Sequence, residues 1–184
     1  LFDFMIAFSE SNLDKKTVIQ ITEMARKKRV PNTLLWTGID GGSALIAALS
    51  LAKYMVCDSP SILDSCNQCP SCLQFNHFNY PDLHLSFPFF KTTSSSKETN
   101  CADFRALFTS VYANNNFLTT SSWLIALEAE NKQVSITVAE AKAISHTLSL
   151  KGSSKKPRFV VFWQPERMNI NACNKLLKLI EEPN

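Results

Sequence analysis

The feature that most constrains the fold is a short apolar segment, a Gly-rich turn and an apolar helix that follow one another within residues 33–56. Residues 33–37 predict a short buried strand. The turn after them leads into a helix that runs to Val56, with apolar residues at helical spacing. In nucleotide-binding folds this order of elements holds phosphate at the helix N-terminus. Since a Gly-rich turn alone is a weak signal, the side chains around it must decide whether nucleotide chemistry is present.

Four cysteines follow that helix directly. Cys57, Cys66, Cys69 and Cys72 have the spacing C-x8-C-x2-C-x2-C. Two short spacings let thiolates on a tight loop point at one centre, and four thiolates leave no open position for water on a zinc ion. The pattern therefore predicts a structural Zn²⁺ site in a module spanning about 57–72, which has too little apolar content to fold unaided. An iron–sulfur cluster and a set of free thiols are the alternatives; we favour zinc.

Composition limits the function classes. An apolar fraction of 45% and a charged fraction of 19% over 184 residues predict one globular domain. The net charge of +3 argues neither for nor against a nucleic-acid partner. No apolar run approaches the roughly 20 residues that span a bilayer, so we expect no membrane association. Because six cysteines occur without a secretory signal pattern, they indicate metal and free thiols in a cytoplasmic protein.

Strands alternate with helices along the rest of the chain, which predicts an α/β fold with a mostly parallel sheet. We predict strands at 83–87 and 159–163, the second covered on both faces because it is continuously apolar. The polar stretch 92–100 predicts a mobile loop, and 102–133 an inserted helical segment.

Capping residues mark the starts of two later helices. Thr137 and Glu140 have the spacing of a capping box, in which each side chain satisfies a backbone amide of the other. Asn169 is placed to cap the last helix, which Pro183 ends.

The phosphate loop itself lacks the residues that an ATPase requires. A working loop needs a Lys for the β/γ-phosphates and a Ser or Thr for magnesium. No Lys occurs here before Lys53, and Asp40 would turn a negative charge toward the phosphates. We therefore expect a degenerate loop that does not hydrolyse ATP, and we expect no ATP as a cofactor. Its residues are Gly38, Asp40, Gly41, Gly42 and Ser43.

The second half of an ATPase site is also missing. An acidic pair at the end of a later strand should hold Mg²⁺ and activate water. After Phe159–Phe162, this place is occupied by Trp163 and Gln164, and Glu166 lies beyond a proline. We predict a degenerate acidic motif and assign no catalytic residue.

These features together resemble one family. Residues 29–38, RVPNTLLWTG, resemble the R-x-P-H-A-x-L-F-x-G opening of bacterial clamp-loader subunits. The four-cysteine module after the phosphate-loop helix is similar to that family's insertion. Residues 174–183, NKLLKLIEEP, resemble its N-x-L-L-K-x-L-E-E-P helix. The resemblance covers about 26–90 and 134–184, whereas 102–133 matches only longer variants of the family.

The resemblance implies an AAA+ (P-loop NTPase-like) three-layer αβα domain with a mostly parallel sheet and an inserted four-Cys zinc module. In this family the gamma/tau type keeps the Lys and the acidic pair, whereas the delta-prime type often loses them, and the chain resembles the latter. The implied role is that of a non-catalytic accessory subunit of DNA polymerase III. The implied partners are the gamma/tau and delta subunits in a hetero-oligomeric ring, and through it the sliding clamp and primed DNA.

The resemblance also implies residues beyond Asn184. In the implied fold a further strand lies between 33–37 and 159–163, and without it each buried unpaired backbone group costs about 1–3 kcal/mol. We therefore expect that strand, a helical lid, a collar domain and the family's arginine finger after residue 184. No arginine finger is assigned within this sequence.

Two alternative functions differ in class. An active gamma/tau-type AAA+ ATPase is disfavoured at Gly42, Ser43 and Gln164, where charged or metal-binding residues are expected. A zinc-containing nucleic-acid-binding protein would contact DNA through its cysteine loop. That loop carries only Asp58 and Asp64 as charges, whereas phosphate contact requires positive charge.

Overall fold

A computed structural model describes residues 4–90, 98–150, 152 and 155–181. Within them the chain forms a mixed α/β fold in which helices surround a small parallel sheet. Short 3₁₀ turns occur at Phe8–Glu10, Cys101–Phe104 and Pro165–Arg167. The helices and strands are α1 Lys15–Arg26, α2 Ala44–Val56, α3 Pro70–Asn76, β1 Leu83–Ser86, α4 Arg105–Asn114, α5 Thr120–Ala126, α6 Val138–Ser149, β2 Phe159–Phe162 and α7 Ile170–Glu181.

The sheet pairs the two strands that the sequence predicts. β1 and β2 run parallel, with Leu83 opposite Phe159 and Ser86 opposite Phe162. Parallel neighbours require a long crossover, and here it contains α4, α5 and α6. The prediction of an α/β fold with parallel pairing is thus confirmed for a small sheet. The predicted loop at 92–100 lies mostly outside the described residues, as does Pro183 after α7.

The predicted strand at 33–37 is wrong. These residues have no regular structure, and Leu35 is 80% exposed. A strand needs a hydrogen-bonding neighbour, and among the described residues β2 pairs only along its β1 edge. A groove of about 800 Å³ separates its other edge from residues 33–37. The sheet therefore provides no partner for 33–37, and the further strand expected between them stays a prediction.

The same groove corrects the expectation that β2 is covered on both faces. Each residue of β2 keeps part of its surface accessible, and Phe159–Phe162 line the groove together with the start of α2. The continuous apolar sequence of β2 is compatible with burial of both faces. How much of the strand is covered depends on the elements that pack against it in the fold.

An aromatic cluster joins α4 and α5 to the end of the sheet. The rings of Phe87 and Phe108 stack with centroids 4.4 Å apart, and the Trp123 ring meets Phe87 edge-on at 5.1 Å. Trp163, at the end of β2, lies 6.4 Å from Trp123. The Trp123 indole Nε1 donates a 2.7 Å hydrogen bond to the Pro88 carbonyl oxygen. Residues of the 102–133 segment are therefore part of the main hydrophobic core.

The two predicted helix caps have different outcomes. The Asn169 side chain accepts a hydrogen bond from the Ala172 amide at 2.8 Å, which confirms the cap of α7. The capping box at the start of α6 is wrong, because Thr137 makes no side-chain cap. Glu140 is fully buried and instead lies 2.7 Å from His84 Nε2 and accepts from the Cys101 amide at 2.8 Å. A buried carboxylate needs strong hydrogen-bonding partners. Those of Glu140 come from residues distant in sequence and not from the backbone at the start of α6.

We predict that Trp123→Ala lowers the free energy of unfolding by about 3–5 kcal/mol, because it leaves a cavity in the aromatic cluster. Ile125→Ala, on the same helix but 59% exposed, is the matched control and should change it by less than about 0.5 kcal/mol. Urea unfolding followed by far-UV circular dichroism measures both. A loss below about 0.5 kcal/mol for Trp123→Ala as well would contradict the place of Trp123 in the core.

Candidate metal centre and degenerate phosphate loop

The cysteine cluster lies where α2 ends and α3 begins. Cys57 directly follows α2, and Cys66 lies in the loop after it. Cys69 is the residue before α3, and Cys72 lies in its first turn. Pro70 at the first position of α3 favours the start of the helix there, since it has no amide hydrogen to leave unpaired. Two helix ends and the loop between them thus bring the four side chains together.

The sulfur geometry fits one tetrahedral ion. The four Sγ atoms all lie within 4.8 Å of one another, and those of Cys66 and Cys72 are 3.9 Å apart. Zinc–sulfur bonds of about 2.3 Å in a tetrahedron place sulfur atoms roughly 3.8 Å apart. All four cysteines are free of disulfide bonds. The cluster is therefore a set of donors that can bind a metal ion.

Backbone amides point at the sulfurs, as a thiolate site requires. The Cys66 amide donates to Cys57 Sγ at 3.2 Å, and the Cys69 amide donates to Cys66 Sγ at 3.4 Å. This turn needs a left-handed residue, and Asn67 supplies it with φ +57°, since Asn tolerates that region better than most residues. The turn thus directs backbone amides at the sulfur atoms that could bind a metal ion.

The cysteines differ in how readily they lose a proton. Hydrogen bonds from the Gln68 and Cys69 amides lower the pKa of the Cys66 thiol to about 6. Burial raises the pKa of the Cys57 thiol and that of the Cys72 thiol above the ordinary value of a cysteine. A metal ion that binds here must displace protons from the buried thiols, so its affinity increases with pH.

Residues 38–43, which the sequence predicts to be a degenerate phosphate loop, form a tight turn before α2. Gly41 has φ +72°, and the Gly42 amide donates to the Ile39 carbonyl oxygen at 2.9 Å. Ser43 precedes α2 and makes no side-chain cap, and Gly38 lies on the open groove. Lys53 is fully buried in the interior of α2 and contacts residues 6, 67 and 76, all remote from the loop in sequence.

Asp40 and Gln164, from the two stretches that the sequence predicts to be degenerate, both contact the start of α5. The Asp40 carboxylate oxygens accept from the Thr120 amide at 3.0 and 2.9 Å. Gln164 Nε2 donates to Thr120 Oγ1. At Gly41 a Cβ atom would lie 2.6 Å from Thr119 Cγ2, so only glycine fits against this helix end. Trp163 does not take part, since its ring lies in the aromatic cluster.

Sequence reasoning missed Thr119 and Thr120. Thr119 and Ser122 form a capping box, and that T-x-x-S pattern was a readable signal for a helix start. A helix start presents amides that attract a carboxylate. Nothing in the spacing, however, indicated that the carboxylate would come from Asp40, whose hydrogen bond to Thr120 joins residues 80 positions apart.

Comparison with known proteins identifies the class. A family model described as "DNA polymerase III, delta subunit" matches residues 13–184, which is nearly the whole chain. The chain belongs to this family. No solved structure matches it significantly.

A curated relative is more specific. The chain is 24% identical over 180 residues to a Bacillus subtilis (strain 168) protein named DNA polymerase III subunit delta'. The alignment covers 97% of this chain and 41% of that protein, so the chain spans about two fifths of the relative's length. The two matches confirm the resemblance to a delta-prime-type clamp-loader subunit. Among the described residues no helix has both the length and the apolar character to cross a bilayer.

We predict that Asp40→Ala loosens the start of α5, because the Thr120 amide loses its acceptor. Hydrogen exchange at that amide should become about fivefold faster or more, as expected when a helix start loses a cap. Glu130→Ala, an exposed acid with no hydrogen bond or ion pair among the described residues, is the control and should leave the rate unchanged. Identical rates in all three proteins would contradict the contact.

Proposed function

We propose that the chain is part of a non-catalytic, delta-prime-like subunit of the DNA polymerase III clamp loader. One observation carries the non-catalytic role. Asp40 and Gln164 stand where an active ATPase binds phosphate and orders Mg²⁺, and both are engaged with Thr120 of the same chain. The two positions that would serve ATP therefore serve an internal contact.

Electrostatics supports the same conclusion. A triphosphate carries several negative charges, and its binding needs a cation as well as helix amides. The loop supplies the carboxylate of Asp40 and no lysine, and Lys53 has its ammonium committed to three oxygen atoms elsewhere. A carboxylate beside the γ-phosphate is repulsive at any effective dielectric constant. Neither binding nor hydrolysis of ATP is expected.

The role follows from the family. We propose that the full-length protein is a cytoplasmic replication subunit with an AAA+ three-layer domain, followed by a helical lid and a collar. It joins gamma/tau and delta subunits in a ring that loads the sliding clamp on primed DNA. In this ring it contributes shape and contacts, while neighbouring subunits hydrolyse ATP. The chain itself contacts DNA and the clamp only through the complex.

We further propose that the cysteine cluster binds one structural Zn²⁺. Four thiolates that surround a single point suit zinc, whereas a cluster of several irons needs its thiolates farther apart. The closed donor set leaves no position for a catalytic water. Bound zinc would supply four strong bonds that hold residues 57–72 against the ends of α2 and α3. The loop's two acidic residues give it no means of contacting DNA phosphates.

The metal proposal predicts about one zinc ion per purified chain. Cys69→Ser should lose the zinc and lower the melting temperature, because the remaining three thiolates no longer close the site. Cys173→Ser is the control, since Cys173 lies on α7 outside the cluster, and it should keep its zinc. Elemental analysis measures metal content. A folded wild-type protein without metal, or one that holds iron and sulfide, would overturn the proposal.

The functional proposal is tested on the full-length protein with a fluorescent ATP analogue and Mg²⁺. We expect no binding at micromolar protein, while a gamma/tau-type subunit binds as the positive control. Mixed with delta and gamma/tau subunits, the protein should elute in one larger complex by size exclusion. Micromolar Mg²⁺-dependent binding with turnover would favour an active ATPase. Failure to join the complex would contradict the clamp-loader role.

A further inference from the structure

Lys53 is a charged residue in a place where charge is costly. It lies in the interior of α2 with 0% of its surface exposed. Its ammonium donates to the Ile6 carbonyl oxygen at 2.7 Å, to Asn76 Oδ1 at 2.6 Å, and to Asn67 Oδ1. These three acceptors match the three donors of an ammonium group, but all three are neutral. A buried cation is stable only with a compensating anion nearby.

The groups that can act on the Lys53 ammonium with negative charge are Cys72, Asp64, Cys57 and Cys66. The cysteines carry that charge as thiolates, the form in which they bind a metal ion. Three of the four candidate metal ligands are therefore electrostatic neighbours of this lysine. Cys57 follows Lys53 by four residues at the end of α2, one helical turn away and on the same side of the helix.

Charge balance explains this arrangement. A divalent ion with four thiolates has a net charge of −2. A net charge that is partly buried needs an opposite charge to be stable. On the solvent side Lys156 pairs with Asp58 and also acts on the charge of Cys69. On the buried side Lys53 supplies the positive charge of its ammonium, and burial lowers the pKa of that group from its ordinary value.

The same ammonium connects the metal-binding loop to three other segments. Asn67 is the left-handed residue between Cys66 and Cys69, and its side-chain oxygen accepts from Lys53. Asn76, near the end of α3, accepts both from Lys53 and from the Ile6 amide at 3.1 Å. One atom, Nζ of Lys53 on α2, thus connects the N-terminal segment, the cysteine loop and α3.

We propose that Lys53 is a positioning residue of the metal centre. Its buried ammonium balances the negative charge of the thiolate-bound ion and holds the turn between Cys66 and Cys69 through Asn67. Metal binding is thereby coupled to the packing of the N-terminal segment on α2. This inference rests on the proposed zinc site and adds to it a specific residue outside the ligand set.

Zinc affinity of the full-length protein tests the proposal. Zn²⁺ affinity is measured by competition with a chromogenic chelator at pH 7.5. Lys53→Met should bind zinc about 10–100-fold more weakly, the usual effect of losing an outer partner of a metal ligand. Leu49→Ala, a buried change on the same helix, should lower the melting temperature while leaving the zinc affinity of the folded protein within about twofold. The pair separates an effect on the metal from a general loss of stability.

A second variant decides the question if Lys53→Met does not fold. Asn67→Gly keeps the left-handed turn, which glycine adopts easily, but removes the oxygen that accepts from Lys53. We expect zinc affinity to fall about three- to tenfold, while Gln74→Ala, an exposed residue on α3, leaves it unchanged. Wild-type protein without zinc would overturn the zinc proposal and this one with it. If the wild type binds zinc and Lys53→Met binds it with unchanged affinity, the role of Lys53 alone is overturned. Where Lys53→Met does not fold, unchanged zinc affinity of Asn67→Gly has the same consequence.

Discussion

Burial of α2 is the constraint on which the rest of the structure depends. Ten of its thirteen residues are buried, and it contacts α1, α3, β2 and the 3₁₀ turn at Phe8–Glu10. A helix enclosed on so many sides has a fixed position. The loop before it and the cysteines after it are therefore held at the two ends of one rigid element. Even the charge that α2 carries inside, Lys53, is fully hydrogen-bonded.

The two ends of α2 differ in the chemical groups that lie there. At the N-terminal end residues 38–43 form a tight turn in which Gly41 has φ +72°, and Asp40 accepts from the Thr120 amide at the start of α5. At the C-terminal end four sulfurs converge with the geometry of a closed metal site. A closed site stabilises and does not catalyse. The residues at both ends of α2 thus make contacts that join them to other segments of the chain.

Local patterns predicted those parts of the fold that depend on residues close in sequence. The strand at 159–162 follows from its apolar run and the cap of α7 from Asn169, and the strand at 83–86 was predicted from a short local segment after Pro81. The strand at 33–37 is wrong because a strand exists only with a neighbour, and the described residues provide none. The capping box at Thr137 is wrong because Glu140 found stronger partners in His84 and the Cys101 amide.

The sequence by itself determined the kinds of atoms available: four thiols at metal spacing after α2, and a phosphate loop with a carboxylate and no lysine. Those facts are set by side-chain chemistry and by spacing within a short stretch. Only the tertiary structure decided that Asp40 and Gln164 meet at Thr120, and that Lys53 lies buried beside the cysteines. Such contacts join distant residues or depend on the direction of a side chain. The packing of the whole chain determines these contacts, and no local sequence pattern encodes that packing.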